Sequence, residues 1–375
     1  MMNLSDIFCQ DKAVNSLKRA FETGRLAHAY IFDGIDGVGK FTTANAFAKL
    51  LLCKSPEIGE PRHSDGGAKH VDSCGKCESC KMLDSDNHPD FHHIYKELVQ
   101  FSSDPVLRKK QPIDLPIDVI REFLIEKMQI RPSLSASKVF VISESEKLNA
   151  ASQNALLKIL EEPPNKSFII LLCSKLDNLL PTTRSRSQVI HFGPLSEDKI
   201  IGKLPDVNTL EAKYLARLTC GSLGQAQILS KIKPSFYEIK KDFLNRFCKY
   251  QVGDSVDFAQ WINATASEIC ASWEKLKAGT SKSELSRTAK KIFVLVLISA
   301  FSDTMKVSFA SEGNLTNFDQ VQQINSIGQR FGQIGSAEMI ERCYETIRFI
   351  DASVNEKLIF EHLLLNCADC SIIKV

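Results

Sequence analysis

Residues 34–42 read Gly-Ile-Asp-Gly-Val-Gly-Lys-Phe-Thr, between an apolar run, Ala29-Tyr30-Ile31-Phe32, and a helix-forming segment from Thr43 to Leu52. A glycine, four residues, then Gly39-Lys40 is the spacing of a phosphate-binding loop, where N–H groups at a helix N-terminus and one lysine surround a nucleotide's phosphates. Such a loop needs a strand before it and a helix after it, so it commits the chain to an α/β fold. It marks Gly34, Gly37, Gly39 and Lys40 as phosphate-site residues. The next position departs from the pattern, which places Ser or Thr there as a magnesium ligand. Phe41 has no oxygen to offer, and Thr42 lies about 100° further round the helix at ~3.6 residues per turn. The expectation is a nucleotide-site fold with a broken metal site.

Downstream, Lys138-Val139-Phe140-Val141-Ile142 is a continuous β-branched and aromatic run, as in a strand covered on both faces. Ser143-Glu144 stands at its carboxyl end, where parallel sheets form their ligand crevice. An active nucleoside triphosphatase needs Asp at the first of these positions to hold magnesium; Ser143 is neutral. Helices are predicted over 118–129 and 149–160, and strands over 92–95, 167–172 and 189–192. The alternation predicts a doubly wound domain with a mostly parallel sheet over residues 1–192. After Pro194 strand patterns stop. Three short helices are predicted over 196–201, 209–219 and 222–231, forming a small unit over 193–233. A helical domain then fills 234–375, with breaks near Gly253, Gly279, Gly313 and Gly335. A chain of 375 residues is long enough for these three parts.

Cys74, Cys77 and Cys80 recur at steps of three, a spacing at which one tight turn brings thiols onto a tetrahedral Zn²⁺. Cys53, at the end of the helix after the glycine loop, is the expected fourth ligand of a module over 53–80, with His63 and His70 as alternatives. Four protein ligands make the metal structural. Cys367 and Cys370 form a lone pair with no assigned role. The 12 cysteines are scattered, and no basic segment followed by an apolar core opens the chain, which leads us to expect a reducing cytoplasm. The most apolar run, 292–300, is far shorter than the roughly 20 residues of a membrane span. A net charge of +2 gives no overall attraction to nucleic acid. Lys275, Lys277, Lys282, Arg287, Lys290 and Lys291 are interrupted by Glu274 and Glu284 and read as a solvated helical face.

Several strings together carry a family likeness: His28-Ala29-Tyr30-Ile31-Phe32, the glycine loop, the cysteine cluster, His88-Pro89-Asp90, Asn154-Ala155-Leu156-Leu157-Lys158-Ile159-Leu160-Glu161-Glu162-Pro163-Pro164, and Arg184-Ser185-Arg186. The chain resembles bacterial DNA polymerase III clamp-loader subunits, members of the AAA+ superfamily, over roughly residues 5–232. Asn355 to Glu361 is similar to the last helix of that family's collar domain. The resemblance implies an AAA+ domain, a helical lid and an all-helical collar. It also implies a hetero-oligomeric ring with gamma/tau and delta subunits, acting on a sliding clamp and primed DNA. The family has ATP-hydrolysing gamma/tau motors and a stator that does not hydrolyse ATP. Phe41, Ser143 and Gly224, which replaces the motors' lid arginine, all fall on the holding of magnesium and the γ-phosphate. They point to the stator, with ATP binding doubtful; a motor is the alternative. Arg186, in the family's Ser-Arg-Cys motif with Ser187 for the cysteine, is the arginine that the resemblance sends into a neighbour's ATP site.

Overall fold

The structure is a computed structural model that describes residues 2–59, 70–108, 114–274, 281–307, 314–352 and 358–369. It divides the chain into two compact units, Met1–Leu195 and Ser196–Val375.

The first unit opens with a 3-10 turn (Leu4–Asp6) and α1 (Asp11–Glu22), then β1 (Ala29–Asp33) and α2 (Lys40–Leu52). A small excursion follows: β2 (Glu57–Gly59), β3 (His70–Asp72) and α3 (Glu78–Asp84). The chain returns through β4 (Phe91–Ile94), a 3-10 turn (Lys96–Phe101), α4 (Pro105–Arg108), α5 (Ile117–Val119), a π-helical stretch (Ile120–Ile125) and α6 (Glu126–Gln129). It ends with β5 (Lys138–Ile142), α7 (Ala150–Glu161), β6 (Ser167–Cys173), α8 (Pro181–Ser185) and β7 (Gln188–His191). The five long-range strands form one sheet in the order β4-β5-β6-β1-β7. Every pairing within it is parallel, while β2 and β3 form a separate antiparallel ladder.

The apolar run before the glycine loop is an interior strand, with Ala29, Tyr30, Ile31 and Phe32 wholly buried, as are Val139 to Ile142 of β5. Each such Val, Ile or Phe side chain contributes about 1.5–3 kcal/mol by leaving water. The sheet thus anchors the loop at the carboxyl end of β1. The helix predicted over 118–129 is instead interrupted by the π-helical turn, where the N–H of Glu126 reaches back to Arg121 O. Ile120, Leu124 and Met128 are all buried. Steps of four drift about 40° per step round an α-helix, and the wider π turn brings that stripe back to face the core.

The second unit is entirely helical among the described residues. It holds α9 (Glu197–Ile201), α10 (Thr209–Leu218), α11 (Leu223–Ser230), α12 (Phe236–Lys249), α13 (Ser255–Glu274), α14 (Lys282–Lys306), α15 (Val321–Asp351) and α16 (Leu358–Asp369). Asn208, Ser222 and Ser281 cap their helices by accepting from the N–H three residues on, each cap contributing about 1 kcal/mol. Phe243, Phe247, Phe293 and Phe301 fill the centre. Beside them, buried Lys240 pairs with Asp319 at 2.6 Å. The break expected near Gly335 lies at Gly332, whose φ of 66° is a left-handed conformation that favours glycine. The breaks expected near Gly279 and Gly313 fall outside the described residues, as do Lys109, Lys110, Lys275, Lys277, Asn355 to Lys357 and Cys370. Among the described residues no helix is long and apolar enough to cross a membrane.

Candidate functional site

Gly39 caps α2 with a φ of 103°, and Gly37 stands at 81°. Both are values for which glycine is the default residue. Gly34 is needed for a different reason: a Cβ there would collide with the carbonyl oxygen of Phe192, just past β7. The loop therefore has a backbone that only glycine accommodates at these three positions. Its lysine is already committed. The buried ammonium of Lys40 donates to Gly34 O, to Ile35 O at 3.2 Å and to Asp36 Oδ1 at 3.4 Å. Thr42 is exposed, and the Thr43 hydroxyl donates to Gly39 O at 2.9 Å, capping the turn rather than facing a ligand.

At the position where the phosphate-loop pattern has its hydroxyl residue, the structure places an aromatic ring tilted against an imidazole. The parallel register sets Ile94 beside Ile142, so the residues next to them meet at the carboxyl end of the sheet. His93 Nε2 lies 2.8 Å from Ser143 Oγ, and the Phe41 ring centroid is 4.6 Å from that of His93. Burial brings His93 down to about 4, so the imidazole is neutral near pH 7. His92, on the opposite face of the strand as alternation requires, stacks on Phe140. Glu144, held at φ 50°, pairs with Lys147 and, at 3.0 Å, with buried Lys96. The Glu144 carboxylate is thus engaged by two lysines. Gly224 sits in the first turn of α11, in the second unit, and has no side chain to contact a phosphate.

The Sγ atoms of Cys53, Cys74, Cys77 and Cys80 all lie within 4.8 Å of one another. Individual separations are 3.5 Å for Cys53 to Cys74, 3.9 Å for Cys53 to Cys77 and 4.0 Å for Cys74 to Cys80. Tetrahedral Zn–S bonds of about 2.3 Å put their sulfurs about 3.8 Å apart, so the donor set and its dimensions fit such an ion. N–H groups of Cys74, Cys77 and Cys80 point at the sulfurs of Cys53, Cys74 and Cys77 at 3.3–3.4 Å. Burial raises the Cys77 thiol, but the N–H groups of Cys80 and Lys54 outweigh it and bring the group down to about 6. Cys80 is pushed up by burial. His63 and the His70 side chain lie outside what the structure describes.

This cluster is tied to the sheet and to the N-terminus. Ser79, between two of the cysteines, donates to Leu52 O and lies 2.9 Å from His88 Nε2. Asp90 accepts the N–H groups of Ser133, Leu134 and Ser135. His88-Pro89-Asp90 thus bolts the module to the loop before β5. Asp72 accepts from Leu4 and Ser5. Buried Gln10 donates to Val38 O and Gly193 O.

Arg186 follows α8. Its Nη2 lies 2.7 Å from Glu161 Oε1 at the end of α7, and its Nη1 donates to Thr182 O at 3.1 Å. Arg184 reaches exposed Asp177 at 3.4 Å. Among the described residues the partners of Arg186 belong to α7 and α8, and none to the glycine loop. Sequence reasoning did not reach three partners that the structure shows: His93 against Phe41, Asp36 on Lys40, and Glu161 on Arg186. Only Asp36, four residues before Lys40 along the loop, carried a local signal.

Comparison with known proteins adds identity to this geometry. A family profile described as "DNA polymerase III, delta subunit" matches residues 9–196. DNA polymerase III subunit delta' of Bacillus subtilis is 27% identical over 364 residues, covering 95% of each chain. The delta' subunit of Escherichia coli is 30% identical over 216 residues, 57% of each chain. The tau/gamma subunit of Haemophilus influenzae is 32% identical over 207 residues, which is 55% of this chain and 26% of that protein.

Proposed function

This chain belongs to the delta-prime family of DNA polymerase III subunits, and from that premise we propose that it is the non-hydrolysing stator of a clamp-loader ring. In this reading it assembles with gamma/tau and delta subunits, helps place a sliding clamp on primed DNA, and lends Arg186 to the ATP site of a neighbour. The observation that carries the loss of hydrolysis is the tilted contact of Phe41 with His93, whose Nε2 bonds Ser143, a set that supplies no anionic ligand where magnesium would be held. The self-satisfied Lys40 supports it, since a nucleotide must displace Asp36 and two loop carbonyls to reach the ammonium. Residues 193–233 serve as the lid and 234–375 as the collar through which the ring assembles. The cytoplasm, where that machinery works, is its location.

We assign zinc to Cys53, Cys74, Cys77 and Cys80. With all four positions filled by protein, the ion would tie Cys53 at the end of α2 to the 74–80 turn and would offer no place for a catalytic water. Arg186 acts by charge. A guanidinium lent in trans lies against the phosphoryl oxygens of a neighbour's ATP as negative charge builds in the transition state, and such arginines contribute ~10³–10⁵ in rate. The test is reconstitution with gamma/tau and delta subunits. Arg186→Ala is expected to fold and assemble normally and to lower the ring's ATPase; unchanged ATPase removes the role. The isolated chain is expected to show no magnesium-dependent turnover. Turnover abolished by Lys40→Ala instead makes it a motor.

A further inference from the structure

The long string that ends α7 contains a residue the proposed function does not use. Glu161 is the last residue of that helix. A carboxylate there faces the negative end of the helix macrodipole, a position that costs a few tenths of a kcal/mol to ~1 kcal/mol. Glu161 therefore does not serve α7. Its carboxylate instead meets Nη2 of Arg186 at 2.7 Å, while Thr182 O and, at 3.4 Å, Ser185 Oγ receive Nη1. These three acceptors hold the guanidinium from two sides. No acceptor for the Arg186 Nε–H is found among the described residues, so that edge is left for a further anion.

We infer that Glu161 is the positioning residue of Arg186, fixing the guanidinium in one orientation before a neighbour's phosphate arrives. The inference rests on the trans role proposed above for Arg186. The pair is largely solvent-facing, with side chains 36% and 51% exposed, so it adds little to folding stability. What it removes is rotamer freedom of a long side chain, a cost otherwise met during docking. The orientation in turn depends on the α7 to α8 packing, so it is set within this chain and needs no neighbour to form.

The experiment is single-turnover ATP hydrolysis by the reconstituted ring, carrying wild type, Arg186→Ala, Glu161→Ala, Glu161→Gln or Arg186→Ala with Glu161→Ala. Melting temperatures of the free chains serve as the folding control. Glu161→Ala is expected to slow hydrolysis about threefold with the KM for ATP unchanged, the size expected for an exposed pair. Glu161→Gln, which keeps an acceptor, is expected between that and wild type. In the Arg186→Ala background, Glu161→Ala is expected to add nothing. If Arg186→Ala slows hydrolysis and Glu161→Ala does not, the positioning role is overturned while the trans role stands. If Glu161→Ala is faster than wild type, Glu161 competes with phosphate and the inference is overturned as well. If Arg186→Ala itself has no effect, the trans role falls and the inference falls with it. A slowing by Glu161→Ala that persists at equal size without Arg186 assigns the effect to α7 and overturns the inference.

Discussion

His93 joins β4 to the position where magnesium would be held, and its protonation gives a direct reading of how firmly that place is closed. Its ring lies between Phe41 and Tyr95, with Nε2 on Ser143 Oγ, and its shift comes from burial alone. The folded-state value of about 4 lies below the ordinary 6.5. Between those values the unfolded chain binds a proton that the folded chain does not, so stability is lost as pH falls from 6.5 toward 4. From about pH 7.5 to about pH 5 the linkage relation gives about 2 kcal/mol lost through this one group. His93→Gln keeps an amide to bond Ser143 but cannot titrate. Urea denaturation of both proteins at the two pH values isolates the effect, because His92 and every carboxylate contribute equally to each. Wild type is expected to lose about 2 kcal/mol more than the variant across that range. Parallel pH profiles would refute the argument, showing that the imidazole is solvated and the junction open.

Other substitutions probe separate parts of the structure. Gly34→Ala, which drives a Cβ into Phe192 O, is expected to cost at least about 2 kcal/mol, read as a lowered melting temperature. Cys80→Ser, or a strong chelator on wild type, is expected to release about one equivalent of zinc and to open the 53–80 segment to protease; zinc content below half an equivalent in wild type excludes the site. Lys240→Met strands the Asp319 carboxylate in the second unit and is expected to cost about 3 kcal/mol in denaturant titration. Adding Asp319→Leu to that variant is expected to recover most of the loss.

The alternation of β-branched runs with helical segments was legible because the three interior strands β1, β5 and β6 are buried on nearly their whole length, on both faces, and the strand over Lys138–Ile142 needed no correction. The second unit was legible as helical for the complementary reason, the absence of any strand pattern after Pro194. The glycine loop and the cysteine spacing are local motifs, so a single sequence carries them. Three things were not legible because they arise across the sheet or between helices. Phe41 was read as a missing ligand, yet only the β4 to β5 register shows His93 and Ser143 filling the place beneath it. Glu161 stood as one letter of a family-like string, and only the packing of α7 beside α8 brings it to Arg186. The π-helical turn depends on which carbonyl Glu126 reaches, a backbone choice made by the core. The break read at Gly335 moved to Gly332 because several glycines lie close together and sequence does not say which adopts the left-handed conformation.

The central proposal is that the glycine loop does not hydrolyse ATP and that Arg186 serves another subunit. The measurement that tests both is ATP hydrolysis by the reconstituted ring beside that of the isolated chain, each with wild type and Arg186→Ala. The account predicts no turnover by the isolated chain, normal assembly of the variant, and hydrolysis at the adjoining site slowed by about a thousandfold or more. Magnesium-dependent turnover by the isolated chain, or a variant ring that hydrolyses ATP at the wild-type rate, contradicts it.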